Sequence, residues 1–199
     1  MIEVEKKFLL SEEQEKRIIR ESDFIAEKVF TDIYYDAKDF LLTKNDKWLR
    51  QRSGKWELKI SLDKRAGREG DIYDEIEDEG KIREILGITI KNDMERDLIE
   101  NGYSKFCICK TTRKKYRWGD YGIDIDFVDY GDGSSYGLAE IELMAKEENE
   151  VKYALQKIIE LANYFSLETG YVRGKVAVYL KKKKPEHFKA LVIAGVLKE

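Results

Sequence analysis

Histidine and proline are almost missing from this 199-residue chain: His187 and Pro185 stand alone, and cysteine is limited to Cys107 and Cys109. The two-histidine zinc motif needs a second imidazole. A catalytic triad needs one better placed than His187, which lies in KKPEHFKALV and reads as a solvated residue in the first turns of a terminal helix. The two cysteines alternate within FCICK, so they share one face of a strand without a second pair to complete a disulfide framework or a zinc site. They read as reduced thiols, as expected of a cytoplasmic protein. No run approaches the roughly 20 apolar residues of a membrane span, and the first residues lack the basic flank and apolar core of a signal peptide. Also missing are a Ser/Gly-rich linker and an internal repeat, which leaves residues 1–199 as a single domain. With 37 basic and 40 acidic residues the net charge is -3, so neither nucleic acid nor an anionic membrane is an expected partner.

Charge itself is abundant. Asp, Glu, Lys and Arg make up 39% of the chain, well above the usual quarter, while 42% hydrophobic residues suffice for a core. Ser11 with Gln14 forms a capping-box pattern that opens a helix over 12–21. Strand patterns follow at 29–35, 47–52, 55–61 and 71–77, with Ser53-Gly54 as a tight hairpin between the second and third. Helical patterns cover 81–86 and 92–101, the latter closed by Gly102. Three more strands are expected in KFCICKTTRKKYRW, YGIDIDFVDY and GLAEIELMAK, then a helix over 149–165, a last strand in GKVAVYLKK and a terminal helix. Antiparallel strands dominate and no regular βαβ alternation occurs, which predicts an α+β fold.

The strands carry their charge on one face. In IEVEKKF, Glu3, Glu5 and Lys7 alternate with Val4 and Lys6; in IDIDF, Asp124 and Asp126 oppose Ile123 and Ile125; in AEIELM, Glu140 and Glu142 oppose Ile141 and Leu143. Basic residues recur in the same manner as Arg50 and Arg52, Lys59, Arg113 and Lys175. Each face alone is also what the wet side of an open antiparallel sheet looks like. Together they fit a sheet closed around a polar lumen, its apolar outer face covered by helices. Carboxylates suit Mg²⁺ or Mn²⁺, and Arg forks and Lys ammoniums suit phosphate oxygens.

Glu3-Val4-Glu5-Lys6-Lys7 matches an ExExK motif, followed in order by Tyr34-Tyr35-Asp36, Trp48-Leu49-Arg50-Gln51-Arg52, Trp56-Glu57-Leu58-Lys59, Asp124-Ile125-Asp126, Glu140-Ile141-Glu142 and Lys175 before VAVYL. In these segments the chain resembles the CYTH, or triphosphate tunnel metalloenzyme, superfamily, most closely its thiamine-triphosphatase branch. The resemblance implies a closed antiparallel eight-stranded β-barrel with flanking and C-terminal helices. It further implies that Lys7, Arg50, Arg52, Lys59, Arg113 and Lys175 bind triphosphate, and that Glu3, Glu5, Asp124, Glu140 and Glu142 hold Mg²⁺ or Mn²⁺, with Asp126 in support. Tyr34 and Lys59 would act near the scissile phosphate, and Trp48 would stack on a thiazolium ring.

The implied activity is hydrolysis of thiamine triphosphate to the diphosphate by a monomer. Inorganic tripolyphosphatase, broader nucleoside triphosphatase, class IV adenylate cyclase and noncatalytic polyphosphate binding are the alternatives. Two segments flank the expected entrance: the charged SLDKRAGREGDI at 61–72, and DYGDGSSYG. The second has no following Lys-Ser/Thr and opens no helix, so it reads as a hairpin connection rather than a phosphate cradle.

Overall fold

A computed structural model describes residues 2–63 and 70–199. The charged segment at 61–72 therefore lies partly outside the described residues. The eight strands among them are β1 (Ile2–Phe8), β2 (Asp23–Asp36), β3 (Lys47–Arg52), β4 (Lys55–Ser61), β5 (Asp71–Ile76), β6 (Ser104–Trp118), β7 (Tyr121–Asp129) and β8 (Ser135–Ala145). All neighbours are antiparallel, and the order β1-β5-β4-β3-β2-β6-β7-β8 closes because β8 pairs back onto β1. Closure gives every strand a partner on both sides, although β2 and β6 extend beyond the strands that flank them. The β3–β4 hairpin turns on Ser53 and Gly54, both at positive φ (47° and 88°), as a two-residue turn that follows the strand twist requires. The DYGDGSSYG segment is the β7–β8 connection, with Gly131 and Gly133 at positive φ.

Helices cover the outside. Helix α1 (Glu12–Glu21) starts with the capping box: Gln14 N–H donates to Ser11 Oγ, and Ser11 N–H donates to Gln14 Oε1. Helices α2 (Glu79–Leu86) and α3 (Met94–Glu100) begin at Asp78 and Asp93, whose carboxylates accept first-turn N–H groups. Helix α4 (Glu148–Tyr164) is the longest. Val4, Ile123 and Ile141, each fully buried, face Ile158, Leu161 and Phe165 on one flank. Leu49, Leu58 and Trp56 face Ile82, Met94 and Leu98 on another. On these flanks the apolar parity is thus the outer face, and burying each such side chain contributes about 1.5–3 kcal/mol. No helix among the described residues is long and apolar enough to cross a membrane.

Two expectations are corrected. GKVAVYLKK is not a strand but helix α5 (Lys175–Lys183), capped by Gly174 and followed by α6 (Pro185–Ile193). Val176, Val178 and Leu180 fit a period of two, but Val176, Ala177 and Leu180 also form a helical stripe, and these three are the buried ones. They fill one end of the barrel against Tyr34, Cys107, Cys109, Val128 and Leu138, positions of the same parity as the charged ones.

His187 is not solvated. It is 2% exposed, stacked on Phe40 at 3.9 Å between ring centroids, with Phe106 edge-on at 4.9 Å. Its Nε2 lies 2.7 Å from Thr43 Oγ1, and that hydroxyl donates to Asp36 Oδ2 at 2.6 Å. With its one proton committed to Asp36, Thr43 must accept, which assigns the imidazole proton to Nε2. Burial pushes the His187 pKa down to about 4, and Lys184 adds to the shift. The imidazole is therefore neutral, and it ties α6 to the segment that joins β2 and β3.

Candidate active site

Parity decides what enters the barrel. Glu3, Glu5 and Lys7 on β1 share one face because side chains alternate, and the opposite face carries the buried Val4 and Phe8. Register then carries the polar face around the ring: Glu5 lies opposite Glu142, Lys7 and Asp124 each opposite Glu140, Arg113 opposite Asp126, and Arg50 between Tyr34 and Glu57. The result is a cavity of about 390 Å³. Every predicted site residue except Asp124 and Asp126 lines it, and these two, 1% and 3% exposed, are paired to Arg113.

All six predicted phosphate-binding cations are paired with carboxylates. Lys7 Nζ reaches Glu5 Oε1 at 2.5 Å, Asp71 Oδ2 at 2.6 Å and Glu140 Oε1 at 3.8 Å. Lys59 Nζ contacts Glu3 Oε2 at 3.0 Å and also Glu75. Arg50 pairs with Glu57 across the hairpin, while its Nη1 stands 3.5 Å from the Tyr34 hydroxyl. Arg113 donates from Nε and Nη2 to both oxygens of Asp126 at 2.6 and 2.7 Å, from Nη1 to Asp124 at 2.5 Å and from Nη2 to Glu140 at 2.8 Å. Arg52 and Lys175 share Asp32. Lys175 reaches in from the first position of α5, whose amino-terminal residues Gly174 to Ala177 line the cavity with the positive end of the helix dipole.

Electrostatics divides the carboxylates. Burial opposes ionisation of Glu140, but Arg113 and Lys7 overcome it and hold its pKa well below the usual range. Burial raises Glu5 despite Lys7, and raises Asp124 despite Arg113 and Lys115. Glu142 is pushed up to about 7 by burial and then by Asp124 and Glu3. Asp124 Oδ1 is buried without a hydrogen-bond partner. Among the described residues no three acidic, imidazole or thiol groups form a ready-made ion cage, since Lys7, Lys59 and Arg113 occupy the carboxylates. The donor chemistry nonetheless fits a hard divalent cation: oxygen ligands only, one of them orphaned, and a glutamate raised by surplus negative charge.

Sequence reading missed several lumen residues. Asp32 and Phe30 share β2 parity with Tyr34, Glu57 shares it with Lys59, and Lys115 shares it with Arg113. Asp71, Tyr73 and Glu75 form the inner face of β5. The period of two carried the signal in every case. Gly122 was missed for a different reason: a Cβ there would stand 2.4 Å from Glu142 Oε1 and 2.6 Å from its Cγ, so the lack of a side chain makes the path for this glutamate. Trp48 lines the cavity and its indole N–H donates to Asp46 Oδ1 at 2.8 Å. Tyr171, Val172, Val196 and Leu197 add an apolar portion to the wall.

The family model described as CYTH domain matches residues 1–171. A thiamine-triphosphatase of Homo sapiens is 28% identical over 215 residues, covering 96% of this chain and 90% of that protein. The PH1819 protein from Pyrococcus horikoshii OT3 superposes with a TM-score of 0.66 at 23% identity, over 91% of this chain and 99% of that one. A Hippeastrum protein, described as an adenylyl cyclase with a dominant triphosphatase activity, gives a TM-score of 0.57 at 18% identity, over 92% and 96% of the two chains. At these identities the two structural likenesses establish the fold. Lys175 lies beyond the matched residues, and its position in the lumen rests on geometry alone.

Proposed function

The chain belongs to the CYTH domain family, and from that premise we propose that it cleaves the terminal phosphate of thiamine triphosphate, with a divalent cation, to give thiamine diphosphate and phosphate. The observation that carries this reading is the convergence of six cations and four of the five candidate ligand carboxylates on one barrel lumen, with the fifth, Asp124, paired to Arg113 behind the wall and an indole in the same wall. Relatives bearing the thiamine-triphosphatase name over nearly the whole chain support the choice of substrate. We take the protein to act as a monomeric, cytoplasmic, single tunnel domain.

Lys7, Arg50, Arg52, Lys59, Arg113 and Lys175 would grip the phosphate oxygens, and rigid placement of these charges supplies most of what phosphoryl transfer demands of a protein. Glu3, Glu5, Asp124, Glu140 and Glu142 would hold Mg²⁺ or Mn²⁺, with Asp126 orienting Arg113 beside them. When bound, the cation would neutralise phosphate oxygens as a Lewis acid. The Lys59 ammonium stays charged because Glu5 and Glu3 outweigh its burial, so it can neutralise charge developing on the leaving diphosphate. Burial holds the Tyr34 hydroxyl protonated, able to donate to a phosphate oxygen. Trp48 would stack on the cationic ring of thiamine, a contact worth about 0.5–2 kcal/mol.

The test is phosphate release from thiamine triphosphate, tripolyphosphate and ATP at matched concentrations with Mg²⁺, Mn²⁺ or Ca²⁺. Thiamine triphosphate should have the highest kcat/KM. A tenfold advantage for tripolyphosphate would instead support an inorganic tripolyphosphatase, a reading favoured by the many charged side chains in the cavity wall.

A further inference from the structure

We propose that Asp32 is a positioning residue that fixes Arg52 and Lys175 as a pair, orienting one wall of the lumen for the triphosphate; this rests on the triphosphatase reading above. Asp32 is fully buried, on the inner face of β2. Its two oxygens are both used: Oδ1 accepts from Arg52 Nε at 2.7 Å, and Oδ2 accepts from Arg52 Nη2 at 3.0 Å and from Lys175 Nζ at 2.5 Å. A bidentate fork fixes the plane of a guanidinium as well as its position. With Nε and one hydrogen of Nη2 committed to Asp32, Arg52 presents the rest of its fork to the cavity. Lys175 is held a second time by Thr111 Oγ1 at 3.2 Å, so Asp32 and Thr111 together take two of its three protons.

Phe30, two residues earlier on the same face, supports the arrangement. Its ring lies 4.1 Å from the Arg52 guanidinium carbon and 5.3 Å from Lys175 Nζ. Asp32 joins elements far apart in sequence: Arg52 comes from β3, and Lys175 from the first turn of α5. It thereby ties the barrel wall directly to the helix that fills its end. Nor is it a spare ligand for an ion, because it faces two cations and no other carboxylate stands among its hydrogen-bond partners.

Replacing Asp32 by Asn removes a negative charge from a site that binds a polyanion while releasing the two cations from their fixed geometry. Charge and geometry then act in opposite directions. For Asp32→Asn, kcat should fall at least tenfold while KM for the triphosphate stays level or falls. Asp32→Glu, which keeps the charge but moves it, should recover part of kcat. If Asp32→Asn does not fold, Asp32→Glu decides alone: a kcat drop of threefold or more at unchanged KM supports the role, and wild-type kcat overturns it. In a background carrying Arg52→Ala and Lys175→Ala, Asp32→Asn should change kcat/KM by less than twofold, because the residue acts through those two. An equal loss in both backgrounds overturns the proposal. If the wild-type protein releases phosphate from no triphosphate, the triphosphatase reading falls separately. Asp32 is then judged by calorimetric binding of tripolyphosphate in EDTA. Asp32→Asn should leave that binding level or tighter, and should have no effect in the double variant; a tenfold weakening in both backgrounds overturns the role.

Discussion

Folding stability should fall as pH is lowered through the range in which His187 would ionise in water. Its pKa is about 4 in the folded chain against 6.5 for an unburied imidazole. Between those values the unfolded chain binds a proton that the folded chain refuses, so protons favour unfolding. At about 1.36 kcal/mol per pKa unit, the loss relative to pH 7.5 reaches about 1.4 kcal/mol at pH 5.5 and about 2.5 kcal/mol at pH 4.5. The charged groups around the ring are Asp36, 3.8 Å from Nε2, and Lys184 at the start of α6. Burial raises the Asp36 pKa, which acts in the opposite direction at the acid end. Other carboxylates also contribute to acid sensitivity, so the measurement must isolate the histidine. His187→Gln retains an N–H donor toward Thr43 and does not titrate. Urea denaturation of both proteins at pH 7.5, 6.5, 5.5 and 4.5 yields a difference curve in which Asp36 and the remaining acids largely cancel. Wild type should lose about 2.5 kcal/mol more than the variant by pH 4.5. Parallel curves across the whole range would refute a neutral, buried His187 and with it this account of how α6 is anchored.

Further outcomes concern the lumen. Trp48→Ala should lower kcat/KM for thiamine triphosphate by about two- to thirtyfold while sparing tripolyphosphate, the range that follows from cation–π energies; equal losses would exclude stacking. Tyr34→Phe should lower kcat by about tenfold or more if its hydroxyl donates in the transition state, and unchanged turnover would remove it from the mechanism. Gly122→Ala should push Glu142 aside and raise the Mg²⁺ concentration for half-maximal rate, with little change in melting temperature, whereas an unaltered Mg²⁺ response would mean Glu142 is not a ligand. Treatment with EDTA should stop phosphate release and Mg²⁺ should restore it, together with a rise in melting temperature that reports binding independently of turnover.

Strand alternation in the sequence reports that a strand has two different faces and is silent on which of them is inside. IEVEKKF reads identically as the wet edge of an open sheet or the wall of a tunnel; only the recurrence of the pattern on strands of both charge signs favours closure. For the same reason Asp32 and Lys115, of the same parity as predicted residues on the same strands, Glu57, quoted within a motif but given no role, and Glu75 on β5 were not assigned to the site, although they are the counterions of residues that were. The two outright errors share a cause. Lys175 to Lys183 satisfies both periods, and His187 sits in a polar stretch; what decided each was the space at the end of the barrel, which local sequence does not encode. The lumen also limits what composition can say. A net charge of -3 from 37 and 40 charged residues looks featureless, yet part of it is a sum over pairs such as Arg113 with Asp126 and Arg52 with Asp32, made at the wall of one cavity. Near-neutral totals carry no information about the field where a short polyanion would bind.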